Sequence, residues 1–68
     1  MKTTQLKSGH ILSERAIVFL RKEGSRRLKQ RIVIQITDDE TLYVCTMSGL
    51  TKHYVNKSEV HTFINPVI

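Results

Sequence analysis

Five short apolar runs, each closed by turn-forming residues and spaced about ten residues apart, constrain the fold of this 68-residue chain more than any other feature. They are RAIVFLRK (15–22), RLKQRIVIQIT (27–37), TLYVCTM (41–47), LTKHYV (50–55) and VHTFI (60–64). Their chemistry is that of strands. Ile, Val and Thr supply 20 residues and Ala only one, and β-branched side chains lose rotamer freedom in helices but pack well on a pleated surface. The expected fold is therefore all-β, a small five-stranded antiparallel barrel of the SH3-like or Sm-like kind over residues 15–68. Residues 1–14 are polar at first and lack a period, so they are expected to form a tail, with a single helical turn at 10–14.

The turns follow from local residue types. Glu23-Gly24-Ser25 closes the first run, Asp38-Asp39-Glu40 the second and Ser48-Gly49 the third, while Asn56-Lys57-Ser58-Glu59 reads as one 3₁₀ turn. Asn65-Pro66 stops the last strand, because proline has no amide to give to a ladder. In the second run, Leu28, Ile32, Ile34 and Ile36 share one face with Gln30. Lys29, Arg31, Val33, Gln35 and Thr37 share the other, and this period of two predicts an isoleucine face toward the core. The third run is apolar on both faces, Leu42 and Val44 against Tyr43, Cys45 and Met47. Such a strand needs either a curled sheet or a second subunit against it, which points to a homo-oligomer. A chain this small buries only about 60% of its unfolded surface, and a partner surface would add to a thin core.

Charge divides the chain. Residues 1–31 carry nine Lys/Arg against two Glu, and residues 32–68 two Lys against four Asp/Glu. Arg21, Lys22, Arg26, Arg27, Lys29 and Arg31 crowd into eleven residues around Gly24-Ser25, opposed only by Glu23. A cationic cluster of this density attracts phosphates, so these residues are the expected nucleic-acid contacts, with RNA ahead of DNA. Tyr54, between His53 and Val55 and near Lys52, is the aromatic expected to be exposed for base stacking. The alternative is a protein-interaction module, an inhibitor or adaptor docking on an acidic partner, and this would require an exposed apolar patch as well.

Other chemistries find little support. The single cysteine, Cys45, makes no internal disulfide and reads as a small core hydrophobe. His53 and His61 with Cys45 are the one conceivable metal trio, but zinc-site spacings are missing and no metal is expected. Without a Ser/His/Asp spacing, a paired-carboxylate motif or a Gly-rich phosphate loop, neither an enzyme nor a cofactor is expected. The longest apolar run is the five residues Ala16–Leu20, too short to span a membrane, and the first ten residues lack the apolar stretch of a secretory signal. A cytoplasmic protein is the expectation.

Three stretches resemble the Sm-like family, and within it the Hfq branch of bacterial RNA chaperones: IVFLRKEG (17–24), DETLYVCTMSG (39–49) and NKSEVHTF (56–63). The resemblance implies a curved five-stranded barrel, subunits joined through their last strands, and RNA as ligand. It places Lys57 at the position of the family's uridine-pocket lysine. The family pattern departs at Ser58, where a histidine would stand, at Thr41, where the base-stacking aromatic would stand, and at Glu40, where a glutamine would stand. The resemblance therefore extends to Lys57 as a binding residue and not to the uridine pocket as a whole.

Overall fold

The computed structural model describes residues 2–67 and is all-β apart from one 3₁₀ turn. Seven strands run in chain order: β1 (Thr3–Gln5), β2 (Ile11–Ser13), β3 (Ile17–Leu20), β4 (Lys29–Ile36), β5 (Thr41–Cys45), β6 (Lys52–Asn56) and β7 (Val60–Ile64). The 3₁₀ turn, Lys57–Glu59, joins β6 to β7. β1 and β2 pair as a two-stranded sheet, and the other five form an antiparallel sheet in the order β6-β5-β4-β3-β7. No helix among the described residues is long and apolar enough to cross a membrane.

The five runs thus become the five strands of the main sheet, but the sheet does not close into the barrel expected of it. β6 and β7 are its two edges and are not hydrogen-bonded to each other. The missing ladder is the one between β6 and β7, and Lys29 and Arg31 at the start of β4 line a hollow with His53, Tyr54 and Val55 of β6.

The amino-terminal segment is a second correction. Residues 3–5 and 11–13 form a β-hairpin, neither tail nor helical turn, and Leu12 lies fully buried in the main core with Thr4 opposite it on β1. This hairpin therefore packs into the same core as the main sheet through Leu12. Side chains from the far end of the chain hold the hairpin in place. Asn65 donates through Nδ2 to the Ile11 carbonyl at 2.9 Å and accepts the Ser13 amide at 3.1 Å. Lys57 Nζ donates to the Gln5 carbonyl at 2.9 Å and to Thr4 Oγ1 at 3.3 Å.

The core comprises Leu12, Ala16, Val18, Leu20, Val33, Ile36, Leu42 and Val44, with Leu6, Val55, Val60 and Phe63 packed against it. The expected face of β4 is corrected here. Val33 is fully buried and Ile34 is 39% exposed, the reverse of the simple alternation. The β4–β5 ladder shifts register between Val33 and Gln35, leaving Ile34 as the extra residue of a bulge. Ile34 and Gln35 both lie outside as a result, and Ile36 returns to the core. A bulge also bends its strand and increases local twist, so β4 curves without the glycine its sequence lacks.

Candidate nucleic-acid interface

β3 and β4 pair from Leu20↔Lys29 to Ile17↔Ile32, and the basic segment Arg21–Leu28 is the loop between them. The loop is held by its own polar groups. The Ser25 amide donates to the Lys22 carbonyl at 3.0 Å, Arg21 Nε to the Ser25 carbonyl at 2.9 Å, and the Arg27 amide to Ser25 Oγ at 3.2 Å. Directly opposed residues of a ladder share a face, so Val18↔Arg31 and Leu20↔Lys29 place Arg31 and Lys29 on the core side of β4. The basic start of this strand therefore faces inward, and the outward basic face expected from the alternation does not form.

A cavity of about 370 Å³ lies between the β3–β4 loop, the start of β4 and β6. Lys22 and Arg27 from the loop and Lys29 and Arg31 from β4 line it, facing His53, Tyr54 and Val55 of the β6 edge, with Leu20 and Ser25 beside them. Glu59 is the one acid in the lining. Its carboxylate accepts the Asn56 amide at 3.3 Å while the Asn56 side chain accepts the Ser58 amide at 2.9 Å, a capping box that orients the 3₁₀ turn. Four cations against one carboxylate leave a strongly positive, partly enclosed surface, and low-dielectric walls focus such a field.

Arg31 is the least satisfied of these groups. Its Nη1 donates to the Gln30 carbonyl at 2.7 Å, which anchors the guanidinium, but its Nε is removed from solvent and has no hydrogen-bond partner. A charged donor left this way costs about 1–3 kcal/mol or more of desolvation. Structures tolerate such a group where strain is stored or a ligand supplies the acceptor.

The structure sorts the remaining expected site residues. Arg21 lines a shallower groove between the loop and the 3₁₀ turn, and this groove shares Lys22 and Glu59 with the cavity. Arg26 is exposed on the loop and lines none of these hollows. Tyr54 is 65% exposed and belongs to the β6 stretch beside the cavity, but its ring packs 4.7 Å from that of Tyr43 on the opposite side of the sheet. Lys57 lies elsewhere, bonded to the amino-terminal hairpin and lining a separate hollow with His10, His61 and Phe63. His53 and His61 occupy opposite edges of the sheet, and among the described residues no three His, Cys, Asp or Glu side chains group closely enough to hold a metal ion. Cys45 is a buried free thiol. Sequence reasoning missed His53, Val55 and Glu59 in the lining, because only the tertiary fold brings β6 and the 3₁₀ turn to the loop.

No protein-family model, curated protein or solved structure matches this chain.

A second feature lies on the opposite side of the sheet. The ladder aligns Ile64, Ile17, Ile32, Cys45 and Lys52 in one row across all five strands. This row is apolar as far as Lys52, with Ile64 60% exposed, and Ile34 and the Tyr43–Tyr54 pair lie on the same side.

Proposed function

We propose that this chain is a small regulatory protein that binds single-stranded nucleic acid, RNA ahead of DNA, through the basic cavity at the open edge of its sheet. The observation that carries this reading is the convergence of Lys22, Arg27, Lys29 and Arg31 on one hollow. Phosphates are held by the cations, which gives affinity and register with little sequence discrimination. A base passing over the β6 edge stacks on the exposed Tyr54 ring on the other side of the sheet, a sequence-tolerant contact worth about 1–3 kcal/mol. The likeness of 17–24, 39–49 and 56–63 to Sm-like proteins agrees with RNA as the ligand, although Lys57 has a structural task here. A reducing, cytoplasmic setting fits a buried free thiol.

The test is fluorescence anisotropy with labelled single-stranded RNA, duplex RNA and DNA, using the wild type and the triple variant Arg27→Gln/Lys29→Gln/Arg31→Gln. Binding of single strands by the wild type and its loss in a folded triple variant support the reading. Equal affinity of the two proteins refutes it.

A protein-interaction module remains the second reading, and the outer apolar row favours it. That side also suits a homo-oligomer, since a second copy would bury Ile17, Ile32 and Ile64 and thicken a thin core.

A further inference from the structure

We propose that the cavity is a seat for the terminal phosphomonoester of a nucleic-acid strand, with Arg31 as its anchoring residue. The inference rests on the nucleic-acid reading above and narrows it to one end of the strand.

The shape of the cavity supports an end-on ligand. Leu20 belongs to the core and Val55 packs against it, so the hollow ends on packed apolar side chains. Apolar packing closes that side of the hollow. An internal phosphodiester carries a sugar on both sides and needs two exits, whereas a terminal phosphate trails one nucleotide, and about 370 Å³ is room for a ligand of that order.

The charge supports the same group. Four cations and one carboxylate leave three positive charges around the space. A phosphomonoester brings between −1.5 and −2 at neutral pH and three strong acceptor oxygens, against a single charge on a diester. Arg31 supplies the directional contact. Its guanidinium is fixed through Nη1 on the Gln30 carbonyl, and its Nε, unpartnered, needs an acceptor. A phosphate oxygen taken by this fork makes the charge-assisted, bidentate geometry that a lysine cannot reproduce. The shallower groove beyond Lys22 and Glu59 then gives the next nucleotides a path across Arg21.

The experiment compares one short RNA sequence in three forms, 5′-phosphorylated, 3′-phosphorylated and hydroxyl at both ends, by anisotropy at constant salt. One phosphorylated form should bind on the order of tenfold more tightly than the hydroxyl form, and which one does so identifies the end that is recognised. Arg31→Lys, which keeps the charge and loses the fork, should abolish that preference, so that the phosphorylated and hydroxyl forms bind the variant equally. Equal binding of the three forms by the wild type overturns the terminal-phosphate inference and leaves the nucleic-acid reading standing. Failure of all three forms to bind overturns both.

Discussion

Glu14 accepts the backbone amide of Ile36 at 3.0 Å, tying the end of the amino-terminal hairpin to the strand that carries the bulge. β4 runs beyond the end of its pairing with β3, so the Ile36 amide has no ladder acceptor on that side and takes a carboxylate oxygen instead. The other carboxylate oxygen of Glu14 accepts the Lys2 amide at 3.2 Å. Together these bonds hold the Glu14 carboxyl below the usual carboxylate range, the Ile36 amide contributing most. Asp38 is lowered in the same sense by the amides of Glu40 and Thr41, both at 2.7 Å.

The pH dependence follows from that sign. A carboxyl whose folded value lies below its unfolded one contributes stability that is complete above the unfolded value and is lost as pH falls through the folded value. Stability should therefore decline below about pH 4 to 5, where ordinary carboxylates titrate. Denaturation across pH 3 to 7 should show Glu14→Gln weaker than wild type near neutrality, with the difference narrowing on acidification. A constant difference would remove Glu14 from this role.

The bulge predicts an inverted pair of core mutations. Val33→Ala should cost about 2 kcal/mol, from lost apolar burial and the cavity left behind. Ile34→Ala, on the exposed extra residue, should cost less than about 1 kcal/mol. Urea denaturation of the two variants decides it, and a larger cost at Ile34 would mean that β4 keeps a regular alternation.

These two positions also mark the limit of what the sequence makes legible. Strand composition and turn residues place all five main strands, and β7 coincides with the run Val60–Ile64 because Asn56 and Pro66 bound it chemically. Ile34 is misread because a bulge inverts the phase of a strand without leaving any mark in residue types. The β1–β2 hairpin is missed because β1 is three residues long and offers one inward residue, Thr4, which is not apolar; Ser8-Gly9, with Gly9 at φ 89°, was its one turn signal. The cationic cluster is plain from spacing alone. Its inward direction depends on strand phase and on a sheet that stays open, and neither is written locally.

Lys57 separates a structural lysine from a binding one. Lys57→Met removes the bonds to Gln5 and Thr4, which should cost about 1–3 kcal/mol and raise amide exchange in β1 and β2. RNA affinity should remain close to wild type. A strong loss of affinity with unchanged exchange would make Lys57 a phosphate contact.

Glu59 is the opposing charge in the cavity. Glu59→Gln retains the side-chain acceptor that completes the capping box and removes the negative charge, so RNA should bind several-fold more tightly and the fold should persist. Unchanged or weaker binding in a folded variant would place the phosphates away from this wall.

The outer row predicts self-association. Light scattering at micromolar concentration should report more than one copy of the chain, and Ile32→Lys, at the centre of that row, should return it to 7.9 kDa. A wild-type monomer at that concentration would leave the row for another protein.

The salt dependence of RNA binding tests the central claim most directly. Each phosphate neutralised on a single strand contributes a slope of about −0.7 to log affinity against log salt. If Lys22, Arg27, Lys29 and Arg31 together neutralise phosphate charge on the strand, the slope for single-stranded RNA should be clearly negative and become shallower in the Arg27→Gln/Lys29→Gln/Arg31→Gln variant. A slope near zero, or the same slope in both proteins, would contradict the account.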